Sequence, residues 1–159
     1  MEKIKLKHDG HGDTRTAPKD TTFEEFRQAN SSHRTDVYVV MTALSDLLRQ
    51  QGYNHDWTKV EFYHGEADFW KDFQNSLLNN ADFINSDWYQ WHVHEEKHHP
   101  NSYCHDDINL LDLIEMIVDC VCAGKARAGE VRPMEINDEI LKKAFENTVK
   151  LVDDITEVE

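Results

Sequence analysis

"MIVDCVCA", Met116 to Ala123, sets one aspartate inside an otherwise apolar run. The run is part of a longer stretch that Asp106 or Asp107 can cap and that keeps a helical pattern through about Ala126. Burying an ionised carboxylate without a partner is costly. Asp119 therefore calls for hydrogen bonds from a neighbouring helix, a lysine or arginine, or a metal ion. Glu115, one turn earlier, either supports such a site or fills a gap in the packing.

Outward from this helix, the rest of the chain also reads as helical. "TFEE" after Thr21 is a capping box that starts a short helix. Ser31 or Ser32 can cap a long one to about Gln51, closed by Gly52. Its apolar stripe is Val37, Val40, Met41, Leu44 and Leu48, and counting back four from Val37 turns His33 toward the core. "HDWTKVEFYH" begins a further helix, and "ADFWKDFQNSLL" continues helical spacing beyond Gly65. Ser86 or Asp87 caps a helix from about Trp88 to His99, which Pro100 ends, and Asn137 caps a last one from Asp138 to about Ile155. No stretch sustains a period of two, and there is no internal repeat. The expected fold is all-α: a single-domain bundle of about six helices over residues 21–159. A flexible arm, residues 1–20, precedes it and contains "HDGHGD", a His-Asp pair among glycines with no apolar neighbours.

Two stretches carry chemistry. In "HDWTK", His55 and Asp56 offer a nitrogen and a carboxylate side by side, a mixture that divalent transition metals accept, and Lys59 can meet a phosphate or pair with Asp56. In "HVHEEKHHP", His92 to Pro100, a continuous helix puts His92 and His99 on the face shared with Trp88, Trp91 and Glu95, and the pair His94 and His98 on an adjacent face. His94 to His98 matches H-E-x-x-H, the zinc-protease signature. Its extended form needs a glycine at Asn101 and a histidine at Cys104, and Pro100 ends the helix at once, so that reading is set aside. His8, His11, His64 and His105 read as exposed polar residues, and Cys104, Cys120 and Cys122 as reduced core thiols.

At these residues the chain resembles the HD-domain superfamily of metal-dependent phosphohydrolases, all-helical proteins with a histidine on one helix, a His-Asp pair on the next and an aspartate on a late helix. The resemblance covers roughly residues 31–127 and implies His33, His55, Asp56 and Asp119 as ligands of one or two divalent ions (Mn, Fe, Zn, Ni or Mg). Subfamilies with two metals add histidines between the pair and the last aspartate, which points to two of His92, His98 and His99. A second resemblance, to phage and bacterial proteins related to that superfamily, rests on Trp88 and His92, "EKHH" from Glu96 to His99, and "DLIEMIVD" from Asp112 to Asp119. It favours His92, His98 and His99 over His94 and brings no activity of its own.

The net charge of −14, from 17 basic and 31 acidic residues, disfavours a nucleic-acid partner. No apolar run reaches the length of a membrane span, and the start of the chain lacks the apolar stretch of a signal peptide, so a soluble cytoplasmic protein is expected. Against the acidic background, Lys125, Arg127 and Arg132 cluster after the Asp119 helix, and Arg34 follows His33. These cations suit a phosphate or, at a helix end, the helix dipole. The expectation is hydrolysis of a nucleotide or other small phosphoester, with Asp56 and Lys59 at the reacting centre. Two alternatives stand beside it: an acidic, non-enzymatic binding module with a structural metal, and an HD-like di-iron oxygenase. Self-association is left open.

Overall fold

The computed structural model describes residues 2–131 and 133–159. The chain is mostly helical: α1 (Phe23–Asn54), α2 (Glu66–Asn79), α3 (Asp87–Glu95), α4 (Leu110–Ala128) and α5 (Asp138–Ile155), with two short strands, β1 (Ile4–Leu6) and β2 (Thr156–Val158). None of the described helices is long and apolar enough to cross a membrane. The chain falls into two compact units, Met1–Arg49 with Val149–Glu159, and Gln50–Thr148.

In the first unit, α1 opens with a reciprocal box: Thr22 donates its backbone N–H to Glu25 (2.8 Å), and the Glu25 N–H returns to the Thr22 hydroxyl (3.3 Å). The expected break at Ser31 does not occur, and the two predicted helices are one. Thr35 donates its hydroxyl to the Ser31 carbonyl within the continuous helix, and Gly52 lies inside it rather than after its end. His33, Val37 and Met41 are exposed while Val40, Leu44 and Leu48 are partly buried, so only half of the stripe read as core-facing is covered. The segment expected as a flexible arm carries β1, which pairs in parallel with β2, and a 3₁₀ turn at Gly10–Gly12. A three-residue strand is too short to show a period.

In the second unit, the chain leaves α1 through Asp56, whose φ of 57° lies in the left-handed region that aspartate tolerates better than most residues. This reversal produces a 3₁₀ turn, Trp57–Lys59, where an α-helix was predicted. At Gly65 a Cβ would stand 2.2 Å from the Glu61 carbonyl oxygen, so glycine is required there, and α2 starts only after it. Phe69, Phe73, Phe83 and Trp88 form an aromatic cluster that fixes α2 against α3. The last backbone bond of α3 runs from the Glu96 N–H to the His92 carbonyl, and the helix stops four residues short of His99.

Asn109, not Asp106 or Asp107, caps α4. Its side chain accepts from the Leu111 N–H while its own N–H donates to Asp112, each at 2.8 Å. Gly129, with φ 77°, ends that helix. Ile108, Leu113 and Ala144 form a buried core with Cys104, Leu110, Ile136 and Ile140 around it, holding the start of α4 to the start of α5. All three cysteines are free, and Cys122 is exposed rather than in the core.

Candidate metal centre

The turn after α1, the end of α3 with the turn beyond it, and the middle of α4 bring their polar side chains together in the second unit. Three overlapping groups have ligand atoms within 4.8 Å of one another: Asp56 with His92, His98 and His99; His55 with His98 and Glu115; and His55 with Asp56 and Asp119. These His, Asp and Glu groups are close enough to hold a metal ion.

His55 donates from Nδ1 to Glu115 Oε1 at 2.9 Å, which leaves its Nε2 facing Asp56 Oδ2 (3.3 Å) and Asp119 Oδ1 (3.4 Å). The same Glu115 oxygen lies 3.3 Å from His98 Nδ1, so one carboxylate steadies both rings. Asp56 divides its oxygens between two tasks. Oδ2 takes the Lys59 ammonium, while Oδ1 faces His98 Nε2 at 3.5 Å and His92 Nε2 at 3.6 Å.

Asp56 Oδ1 and His98 Nε2 are buried and make no hydrogen bond. They face each other at 3.5 Å, a looser pairing than buried polar groups ordinarily make. The neighbouring atoms, His92 Nε2 and His99 Nε2, are 2.8 Å apart. A carboxylate oxygen and several imidazole nitrogens facing one point form a donor set that fits a first-row divalent cation, and imidazoles favour Fe, Zn or Ni over Mg.

The electrostatics agree with this geometry. Burial keeps His92 and His99 neutral, pushed down to about 3 and about 4, the state in which an imidazole offers a lone pair. Burial also acts against protonated His98, but the facing carboxylates Asp56 and Glu115 outweigh it and hold that ring up to about 9. Asp56 is the reverse case: burial raises its carboxyl, and the His98 imidazole and Lys59 ammonium more than offset this and hold it below the usual carboxylate range.

Of the residues singled out from sequence, His55, Asp56, His92, His98, His99 and Asp119 converge, with Lys59 beside them. His98 and His99 do so from the turn after α3, so the two-turn helical spacing between His92 and His99 does not apply; the chain folds back and brings them to His92. His94 stays out, exposed and against the Tyr103 ring at 3.8 Å between centroids. The zinc-protease pair therefore does not form. His33 and Arg34 belong to the first unit, are exposed, and occur in none of the converging groups. Lys125 and Arg127 are exposed in the last turn of α4, and Arg132 lies outside the described residues. Sequence reasoning left Glu115 between two roles and gave none to Thr58 or Glu96. The signals for Glu96 were its place among histidines and in "EKHH", and a threonine inside "HDWTK" gives none.

Residues 22–157 match the model of a family of unknown function (DUF5662). No curated protein and no solved structure matches the chain.

Proposed function

Since the chain belongs to this family of unknown function, its activity has to be read from the site, and we propose a metal-dependent phosphohydrolase of the HD type, acting on a nucleotide or other small phosphoester. The observation that carries the reading is the buried pair Asp56 Oδ1 and His98 Nε2, which face each other at 3.5 Å without a hydrogen bond among the other imidazole nitrogens. His55, Asp56 and Asp119 would hold one divalent ion, and Asp56 with His92, His98 and His99 a second. Bound there, such ions lower the pKa of a water molecule to give a hydroxide near neutral pH and neutralise phosphate oxygens.

The chain's own side chains supply position and charge. Glu115 fixes His55 with its Nε2 toward the centre. Lys59 engages only one oxygen of Asp56, leaving the other for the centre, and is partly exposed, so its ammonium also stands where a phosphate can reach it. His92 and His98 form the dry floor, each about 2% exposed, whereas Asp119 and His55 are about a quarter exposed and mark the open side.

The test is metal content by inductively coupled plasma mass spectrometry on untagged protein, with Asp56→Ala and Asp119→Ala beside wild type, followed by a screen of nucleotides and phosphomonoesters. One or two equivalents in wild type, lost in folded variants along with phosphate release, is the expected result. Wild type that stays metal-free after incubation with Mn or Fe would sink the proposal. The deep burial of His92 and His98 favours one rival, a structural metal in a binding module. In that case the same variants unfold and wild type releases no phosphate.

A further inference from the structure

Behind His92, on the side away from Asp56, lies a buried chain of hydrogen bonds. Thr58 Oγ1 sits 2.6 Å from His92 Nδ1 and 2.8 Å from Glu96 Oε1, and the Thr58 backbone N–H reaches the same Glu96 oxygen at 3.2 Å. All three residues are buried. A threonine hydroxyl has a single proton to give. Glu96 Oε1 already accepts from the backbone N–H, so it faces Thr58 as an acceptor. If the hydroxyl proton went to His92 instead, two oxygens would face each other at 2.8 Å with no hydrogen between them.

We infer that Glu96 and Thr58 form a relay that fixes His92 in its Nδ1–H tautomer and thereby turns a bare Nε2 toward Asp56 and His99. Glu96 accepts the hydroxyl proton, Thr58 accepts the Nδ1 proton, and the lone pair is left at Nε2. The contact between His92 and His99 then takes its proton from His99. Both are positioning residues: Thr58 touches the back of the ring, and Glu96 acts through Thr58. Partners of this kind orient metal-binding histidines, and their loss weakens metal binding by roughly 10- to 100-fold. The tautomer follows from the hydrogen bonds alone, while its consequence for a cation rests on the metal-centre reading.

The experiment has two readouts. Long-range ¹H–¹⁵N correlation spectra of the metal-free protein report which nitrogen of His92 carries the proton, and Zn or Mn titration by calorimetry reports affinity. Wild type, Thr58→Ser and Glu96→Gln, which keeps the acceptor oxygen, are expected to show Nδ1–H. Thr58→Val, nearly the same shape without the hydroxyl, is expected to lose that tautomer and bind metal roughly 10- to 100-fold more weakly while its circular dichroism stays native. An Nε2–H tautomer in wild type would overturn the inference, even if Thr58→Val failed to fold. A Thr58→Val variant with wild-type tautomer and affinity would overturn it as well. Wild type with Nδ1–H that binds neither metal would leave the relay standing and remove the metal-centre reading instead.

Discussion

The chain contains two His-Asp pairs, His8-Asp9 and His55-Asp56, and they come to different ends. Asp9 serves only its own turn. It accepts from the His11 backbone N–H at 3.1 Å and contacts the His11 ring at 2.7 Å, two residues away. Asp56 gathers Lys59 from its own turn, His92 and His98 from some forty residues further on, and shares His55 with Glu115 and Asp119 of α4. The dipeptide is the same. What differs is the arrival of partners from distant elements, since the two carboxylates are similarly exposed, and this makes one pair a local turn and the other a candidate centre.

The sharpest way to break this comparison is to remove each carboxylate. Asp56→Ala is expected to abolish stoichiometric metal, and Asp9→Ala to leave it untouched, measured side by side as metal per chain. Equal loss in both variants would mean that the metal binds diffusely to an acidic surface. Next in size is Glu115→Ala, which frees the rings of His55 and His98 without removing a histidine. It is expected to weaken metal binding by about 10- to 100-fold in calorimetric titration. An unchanged affinity would show that packing alone orients those rings.

Stability against pH sharpens the contrast without any metal. His98, held up to about 9, keeps a proton when folded that the unfolded chain gives up near 6.5, so its contribution is full below pH 6.5 and is lost as pH rises toward 9. His92 and His99, pushed down to about 3 and about 4, act in the opposite sense: the unfolded chain takes up their protons first, so stability falls as pH drops below 6.5. The metal-free protein is therefore expected to have its highest Tm near pH 6.5. Replacing His98 with glutamine should flatten the alkaline side only, and a decline there as steep as in wild type would remove His98 as the cause.

Much of the helical character was legible because apolar periodicity over 10 to 20 residues is a strong signal, and α5 and the body of α4 follow it closely. Ends were harder. Ser31 and Ser32 are good caps, but a serine inside a helix costs little, so nothing stopped α1 there. Asp56 gave no warning of its left-handed turn, because a positive φ is a response to tertiary context. The end of α3 at Glu95 was hidden behind a run of polar residues with no glycine or proline until Pro100. That early end is what lets His98 and His99 leave the helix and face His92. The roles of Thr58 and Glu96 were invisible because they exist only once elements 34 to 38 residues apart have met.

The smallest expected effect tests the local member of the comparison. Asp9 needs only an oxygen for the His11 N–H, and asparagine has one, so Asp9→Asn is expected to leave both Tm and metal content at wild-type values. The same exchange at Asp56 keeps the shape but removes the charge that holds Lys59 and His98, and it should lower metal content and shift the alkaline decline in Tm to lower pH. Parallel thermal melts and metal assays on the two asparagine variants decide the matter. If Asp56→Asn behaved like Asp9→Asn, the second pair would also be no more than a turn, and the convergence of histidines around it would need another explanation.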